Sequence, residues 1–296
     1  MDEVLQQVIN ALAVGSIYAL IALGVAIVFS ILNLVNFAHG EFMTIAGYTM
    51  FYLATGGVPW VLIVPAAILT AALSAAILER LAFRPIRGAA IATQLLASFA
   101  VSFAIQNALQ LSVGARPKAL SYPSWTQSNF EVGSLSVQWL DLTTFVVTIL
   151  VLVGLTVFLR RTTTGLAMRS AASDFPTTRL MGIPANRVVV VAFLISGALA
   201  GLAAVFYFGS SSVVNPTSGF SPLLKGFIAA VIGGLGSLPG AVLGGFFLGA
   251  LQVAAYAVLP GSLTGTVDGV VFGIVIVTLL VRPSGILGVK TAFSRV

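Results

Sequence analysis

The chain has 296 residues, of which 58% are hydrophobic and 7% are charged, and it contains no cysteine. A soluble domain carries about 25% charged residues, so the composition excludes a water-soluble globular protein, and the absence of cysteine excludes a disulfide-stapled fold and a cysteine-ligated metal site. The formal charge of +6 would suit nucleic acid only if the basic residues shared a water-facing surface.

Uncharged stretches long enough to cross a membrane recur along the chain. About 20 apolar residues in a helix span a hydrocarbon core of about 30 Å. The second and sixth stretches exceed one span and contain turn sequences at 56–59 and 237–240, so each must be divided. The sequence therefore predicts an all-α polytopic membrane protein with about eight or nine membrane segments, some short or broken, in a single transmembrane domain over residues 1–296. The uncharged stretches are 4–38, 42–78, 88–115, 142–159, 188–224, 226–267 and 269–281.

The basic residues gather on one side of these segments. Of the 14 Lys and Arg residues, 11 fall in the regions 79–87, 160–187 and 282–296, which alternating spans place on the same side. The positive-inside rule identifies that side as the cytoplasm. We therefore expect an external N-terminus, a cytoplasmic C-terminus and no binding of nucleic acid, and the acidic start of the chain also argues against a cleaved signal peptide. The acidic residues on the external side are Asp2, Glu3, Glu131, Asp141 and Asp268.

Two polar interruptions are predicted to be external loops. The loop 112–140 contains Tyr122, Trp125 and Trp139, which are aromatic residues suited to the membrane interface. It is interpreted either as a contact surface for an external partner or as a structured lid. The second external loop, 208–224, is rich in Ser, Pro and Gly.

The cytoplasmic loop 160–187 contains a segment with helical character. Small residues together with Arg169 and Asp174 fit a short amphipathic helix that closes near Gly182, before Pro184. The alternative interpretation is a solvated, positively charged loop, and composition alone leaves both open.

The pattern V-N-x-x-x-G occurs twice, at 35–40 and at 214–219. Each copy follows a long apolar stretch and precedes a short segment interrupted by glycine, and the predicted topology places the copies at opposite membrane faces. Transporters often form their central pathway from paired discontinuous helices related in this way. The pattern therefore indicates an inverted repeat, with a chance match of so short a pattern as the alternative.

His39 and Glu41 are the ionisable residues nearest to an intramembrane position. An ionisable group in such a place suggests a proton relay or a substrate contact. The sequence favours a plainer interpretation, because one histidine and one carboxylate make a poor relay. In that interpretation Glu41 caps the N-terminus of the next helix, and His39 is a neutral, hydrogen-bonded group.

No motif for catalysis or ATP binding occurs in the sequence. It has a single histidine, no HExxH pattern and no GxSxG pattern. None of Lys118, Lys225 and Lys290 completes a Walker A loop. We therefore expect a protein that is not an enzyme and binds no metal or cofactor, so that any ATP-driven step belongs to another polypeptide.

Taken together and in order, these stretches resemble the permease subunit of ABC importers for branched-chain amino acids, the LivH-like family. The resemblance covers nearly the whole chain, and its most specific strings are NFAHGE at 36–41 and GGLGSLPGA at 233–241. The sequence departs from the family pattern at 176–179. The other matching stretches are 15–24, 79–87, 106–107, 165–183, 215–216, 219–220, 225–245 and 285–288.

The resemblance implies a bacterial inner-membrane protein that works within a larger assembly. It would pair with a second, related permease, while two cytoplasmic ABC ATPases hydrolyse the ATP and a periplasmic binding protein delivers a hydrophobic amino acid. Alternating access would then open the pathway to each side in turn. The ATPases would dock on a coupling helix at 165–183, whose residues of interest are Gly165, Arg169, Asp174, Gly182 and Ile183.

The sequence offers no buried arginine or carboxylate pair to hold a zwitterion, so we expect a largely neutral pathway of low affinity, with specificity in the binding protein. We expect the polar residues Asn36, His39, Gln106, Asn107 and Asn215 to lie near that pathway. The glycines between 233 and 249 either let helices slide beside it or simply pack helices tightly.

Other functions remain open on the sequence alone. A related ABC permease could carry another small solute, such as urea or a short amide. The scarcity of intramembrane carboxylates disfavours a stand-alone ion-coupled secondary transporter or channel. An intramembrane enzyme is disfavoured because no nucleophile and base are assembled.

Overall fold

A computed structural model describes residues 2–281 and residue 285, and this part of the protein is mostly helical. A π-helical turn, Glu79–Phe83, and a 3₁₀ turn, Arg84–Ile86, extend α3, and a second 3₁₀ turn, Gly261–Thr266, precedes α12. The tail residues assigned to the cytoplasm, Arg282, Lys290 and Arg295, lie outside the described residues. The helices are α1 (Asp2–Leu32), α2 (His39–Thr55), α3 (Trp60–Leu78), α4 (Ile91–Val113), α5 (Ser124–Gln127), α6 (Trp139–Arg161), α7 (Thr163–Ser173), α8 (Phe175–Leu180), α9 (Ala185–Ser211), α10 (Phe220–Gly233), α11 (Leu238–Val258) and α12 (Val267–Val281).

Seven described helical segments are long and apolar enough to cross a membrane. Helix α10 is a shorter apolar helix, and α2 has 17 residues. The prediction of an all-α polytopic membrane protein with some short segments is therefore confirmed. The seven segments are Asp2–Leu32, Trp60–Ile86, Ile91–Val113, Trp139–Arg161, Ala185–Ser211, Leu238–Val258 and Gly261–Val281.

The predicted turn sequences do separate helices. Between α2 and α3, Gly57 has a φ of +74° and Pro59 directly precedes the new helix. Between α10 and α11, Gly236 has a φ of +94°, and the Ser237 hydroxyl caps α11 by accepting the N–H of Gly240 at 3.1 Å. Glycine occupies such positive φ values without steric cost, and serine is a preferred N-cap, so local chemistry explains both breaks.

The chain forms two compact units. The first draws on the described residues of Met1–Ala26, Ser124–Leu152 and Lys225–Val296. The second draws on Ile27–Pro123 and Val153–Leu224. Helices α1, α6 and α10 each contribute to both units.

Helices of the first unit approach one another closely at glycine. Gly245 and Gly249 of α11 lie so close to Ala19 and Gly15 of α1 that an added Cβ would clash with the α1 backbone. Small residues allow this close approach between membrane helices. These contacts favour tight packing as the interpretation of the glycine-rich stretch 233–249.

The second unit is centred on α9, most of which is buried. Helix α9 packs along α3, and α2 packs against both. A Cβ at Gly197 would lie 2.6 Å from the Ala71 carbonyl oxygen, and one at Gly201 would lie 2.8 Å from Ile68 Cα. Because α2 packs against both of these closely packed helices, its side chains are buried at positions that hold the polar groups described below.

The loop 112–140 is largely structured. In the second unit, β1 (Lys118–Ala119) pairs antiparallel with β4 (Val213–Val214). In the first unit, β2 (Asn129–Val132) and β3 (Leu135–Gln138) form a hairpin. The Tyr122 hydroxyl donates to a backbone carbonyl of α9 at 2.8 Å. These contacts fit the structured-lid interpretation of this loop.

The two copies of V-N-x-x-x-G fold alike. Each follows a helix that ends at a residue in the left-handed region, which is Asn33 (φ +50°) after α1 and Ser212 (φ +54°) after α9. No other non-glycine residue of the described chain has a positive φ. The side-chain oxygen of the motif asparagine, Asn36 or Asn215, then accepts a backbone N–H two residues ahead, at 3.0 Å and 2.9 Å respectively. Helix α2 or α10 follows at once. Corresponding residues are 179 positions apart throughout, which supports the indicated repeat.

The placement of the two copies differs from the prediction. The predicted topology puts them at opposite membrane faces, whereas Gly40 and Gly219 are in contact, and a Cβ at Gly40 would lie 2.5 Å from the Gly219 carbonyl oxygen. The Thr44 hydroxyl accepts the N–H of Gly219 at 3.1 Å. This part of the prediction was wrong because it derived the position of each motif from alternating spans, which say nothing of how far a broken helix reaches into the protein. Both glycines are buried, so α2 and α10 begin inside the protein, where broken helices can be satisfied.

Candidate functional site

The first turns of α2 and the turn before it carry a group of buried polar side chains. Asn36, His39, Glu41 and Thr44 are each at most 5% exposed. Their positions follow from the break between α1 and α2, because the turn at Asn36 starts α2 inside the second unit instead of at its surface. The polar side chains of this turn therefore face neighbouring helices.

Glu41 is fully buried against α4. Its Oε1 accepts hydrogen bonds from the Ser102 hydroxyl and from the Gln106 side-chain amide, both at 2.7 Å. Ser102 and Gln106 lie one turn apart on α4 and therefore share a face. Glu41 lies in the first turn of α2 as expected, but the hydrogen bonds of its carboxyl group go to these α4 side chains instead of forming a cap.

His39 is buried against α9. Its Nδ1 lies 3.1 Å from the Ser196 Oγ, and its ring packs edge-on against Phe42 with 5.8 Å between the ring centroids. This agrees with the expected hydrogen-bonded histidine. Among the described residues, no three His, Asp or Glu side chains are placed to hold a metal ion.

Helix α4 presents a polar buried face. Its buried residues are Ser98, Ser102 and Gln106, spaced four apart, while most of its apolar side chains are partly or fully exposed. The Ser98 hydroxyl accepts the N–H of Phe37, in the turn before α2, at 3.3 Å. A helix in an ordinary apolar core buries its apolar face. Helix α4 instead turns a polar stripe toward the start of α2.

Unpaired polar atoms are concentrated in this region. Asn36 Nδ2, His39 Nε2, Glu41 Oε2 and the Tyr48 hydroxyl are buried and have no hydrogen-bond partner within the described part of the protein. Each such group costs about 1–3 kcal/mol when left unpaired, and native proteins contain only a few per 100 residues. A polar ligand that passed this segment could offset the cost, which makes the region the candidate site.

The predicted pathway residues do not all converge here. Asn36, His39 and Gln106 belong to the cluster. The side chain of Asn107 is exposed and donates to the Phe103 carbonyl of its own helix at 2.7 Å. Asn215 is partly buried and forms the turn before α10.

Sequence reasoning missed the hydroxyl groups of the cluster. Thr44, Ser102 and Ser196 are common residue types in membrane helices and give no signal one at a time. The spacing of Ser98, Ser102 and Gln106 is a signal that was available, because residues four apart lie on one helix face.

The predicted coupling helix is two helices. Asp174 ends α7 and caps α8, because its carboxylate accepts the Thr177 N–H at 3.0 Å and the Thr177 hydroxyl at 2.6 Å. These hydrogen bonds lower the pKa of Asp174 below its usual range. Gly182 has a φ of +78° and follows α8. The predicted closure near Gly182 therefore holds, with an added break at Asp174.

The other coupling residues have different surroundings. The Thr162 hydroxyl caps α7 by accepting the N–H of Gly165 at 2.9 Å. Gly165 is buried against the backbone of α6 at Phe158, where a Cβ would clash. Arg169 is exposed, and Ile183 is partly buried.

A buried ion pair lies next to this segment. Glu79 is fully buried and pairs with Arg87, whose Nη1 donates to the Asn186 side chain at 2.7 Å. Burial lowers the pKa of Arg87, and the charge of Arg179 in α8 lowers it further. The pair thus connects the end of α3 with the start of α9, close to the coupling segment. The sequence suggested only a charged cytoplasmic stretch at 79–87.

Comparison with known proteins gives full-length similarity to one class of permease. The family model described as branched-chain amino acid transport system, permease component, matches residues 7–280. The high-affinity branched-chain amino acid transport system permease protein BraD of Pseudomonas aeruginosa is 40% identical, with 96% of this chain and 95% of that one covered. LivH of Escherichia coli, a permease protein of the same description, is 37% identical with the same coverage. A probable LivH of Methanocaldococcus jannaschii is 29% identical, covering 95% and 91%.

One solved structure shares the fold. PsaBC from Streptococcus pneumoniae, in complex with a Fab, aligns with a TM-score of 0.52 and 12% identity, over 93% of this chain and 91% of that chain. At this identity the similarity concerns the architecture alone.

Proposed function

The chain belongs to the family of permease components of branched-chain amino acid transport systems, and we propose that its α2 and α4 line the pathway of the transported amino acid. It is a multi-pass membrane permease subunit of an ABC importer for branched-chain amino acids. The full-length match over residues 7–280 carries this conclusion. The same match disfavours the urea or amide permease, the ion-coupled transporter and the intramembrane enzyme.

The polar buried face of α4 supports the location of the pathway. In a chain that is 58% hydrophobic, the three buried residues of this helix are polar and face a broken helix. Asn36, His39 and Gln106 are proposed to line the pathway, together with Glu41 and Ser102. The exposed side chain of Asn107 and the turn-forming role of Asn215 give no such support.

The proposed assembly is supported by the family to which the chain belongs, and the sequence has no Walker A loop of its own. We propose that a second permease completes the pathway, that two ATPases hydrolyse ATP on the cytoplasmic side, and that a periplasmic binding protein supplies both the substrate and most of the specificity. The predicted orientation, with an external N-terminus and a cytoplasmic C-terminus in a bacterial inner membrane, rests on the distribution of Lys and Arg.

Exposed apolar side chains on the segment from α7 to α8 support its role as a docking site. Leu166, Leu180 and Met181 are 56%, 87% and 76% exposed, although the loop is predicted to face water. Neighbouring exposed apolar side chains in such a place mark a protein contact. Arg169 and Arg179 add positive charge beside them. We therefore propose that the ATPases bind this segment.

Replacing Leu180 and Met181 together with serine should detach the ATPases. Truncating a central interface residue often costs 2 kcal/mol or more, so we expect at least about a tenfold loss of ATPase co-purified with the permease. Trp125→Ser, which changes a 54% exposed residue of α5 on the predicted external side, is the matched control and should leave the ATPases bound. Full ATPase recovery with the double variant would refute this docking surface.

Reconstitution tests the function as a whole. The complete complex, in liposomes with ATP inside and the binding protein outside, should accumulate labelled leucine, isoleucine and valine only when ATP can be hydrolysed. Excess urea or acetamide should not compete. Uptake driven by an ion gradient without ATP would contradict the proposal.

A further inference from the structure

We propose that Glu41 binds the ammonium group of the amino acid as it passes α2, an inference that rests on the proposed pathway. It assigns to one side chain the recognition of the positively charged group of the zwitterionic substrate. The hydrophobic end needs no such partner.

The surroundings of Glu41 call for a cation. A buried carboxylate is very costly unless it is paired or protonated. The described residues contain two ion pairs, Glu79 with Arg87 and Lys225 with Asp268, and Glu41 takes part in neither. Its Oε1 accepts two hydrogen bonds, which orient the group, while Oε2 stays buried and unpaired.

Protonation alone does not complete the site. A proton on Oε2 would make it a donor, and a buried donor needs an acceptor just as a buried acceptor needs a donor. The Thr44 hydroxyl is within hydrogen-bonding reach of the carboxyl group, but its proton is directed to the Gly40 carbonyl at 3.3 Å and its oxygen already accepts the N–H of Gly219 at 3.1 Å. An ammonium group supplies both the charge and the hydrogen-bond donors that Oε2 lacks.

The oxygen atoms around Glu41 fit an ammonium group better than a metal ion. Calcium takes six to eight oxygen ligands, and magnesium demands near-octahedral geometry. Glu41 is the only carboxylate at this point of the described chain, and its neighbours Ser102 and Gln106 already donate to it. A single buried carboxylate therefore suits an ammonium group better than it suits a metal ion.

Ligand binding to the assembled complex tests this inference. Saturation-transfer NMR on the complex in nanodiscs, without the binding protein, detects weak and rapidly exchanging ligands. Three probes separate the two charged groups of the molecule. They are leucine, leucinamide, which keeps the ammonium group without the carboxylate, and 4-methylpentanoate, which keeps the carboxylate without the ammonium group. We expect the wild type to bind the first two at least about tenfold more tightly than the third, since a charge-assisted hydrogen bond is lost.

Glu41→Gln should erase that preference. Binding of leucine and leucinamide should weaken at least about tenfold, while binding of 4-methylpentanoate stays the same. Glu131→Gln, which removes an exposed carboxylate of the hairpin, is the matched control and should keep the wild-type preference. An unchanged preference in Glu41→Gln, or an equal loss for all three probes, would overturn the assignment.

Two further results separate this inference from the function on which it rests. If the Glu41→Gln complex does not assemble, Ser102→Ala decides, because it keeps the carboxylate and removes one of the donors that orient it. A reduced preference supports the assignment, and an unchanged preference overturns it. Absence of ATP-driven leucine uptake by the wild-type complex would instead refute the proposed function.

Discussion

Gly219→Val should prevent assembly of the permease, and Gly219→Ala should weaken it clearly. A Cβ at Gly219 would overlap the Gly40 carbonyl and lie 2.7 Å from the Thr44 hydroxyl oxygen. Because the obstacle at Gly40 is backbone, relief requires α2 and α10 to move apart. Overpacking of this kind costs about 1–3 kcal/mol and occasionally more, and valine adds two further methyl groups at the same point.

Thermal unfolding of the detergent-purified complex measures the effect. We expect Gly219→Ala to lower the melting temperature by several degrees and Gly219→Val to yield little folded complex. Gly154→Ala is the control, because nothing lies within 4 Å of an added Cβ at that helical position. A Gly219→Val protein as stable as the Gly154→Ala protein would show that the two motif copies do not meet.

Local chemistry explains what the sequence predicted well. The breaks at Gly57 and Ser237 depend on φ preferences and capping within a few residues. The repeat is visible for the same reason, since each asparagine closes a turn with a backbone N–H two residues ahead. Such features are readable because their partners are neighbours in the chain.

Long-range partners explain what the sequence did not predict. Glu41 is held by side chains 61 and 65 positions away, and no local pattern distinguishes that arrangement from a helix cap. The contact of Gly40 with Gly219 likewise depends on tertiary packing. A topology predicted from alternating spans therefore placed the two motifs at opposite membrane faces. The candidate site was predicted in part, through Asn36, His39 and Gln106, while its hydroxyl groups were not.

Arg87→Met should be among the most destabilising substitutions outside the pathway. It leaves the fully buried Glu79 without its cation and Asn186 without its donor. Removing one partner of a buried pair costs about 3–5 kcal/mol, because the remaining charge is uncompensated. The melting temperature of the purified complex should fall accordingly, whereas Arg80→Met, at an exposed arginine on the same segment, should leave it nearly unchanged.

The two halves of this ion pair should not be equivalent. The Arg87 side chain is 16% exposed and that of Glu79 only 1%, so an unpaired arginine can still reach water, whereas an unpaired Glu79 cannot. Glu79→Gln should therefore destabilise less than Arg87→Met, and the double variant should recover much of the loss. Equal melting temperatures for Arg87→Met and Arg80→Met would mean that the pair is not buried.

Arg87 also contacts Asn186, the second residue of α9, next to the coupling segment. A stable Glu79→Gln protein with impaired ATP-driven uptake would therefore indicate that the pair holds the start of α9 in place while the ATPases act.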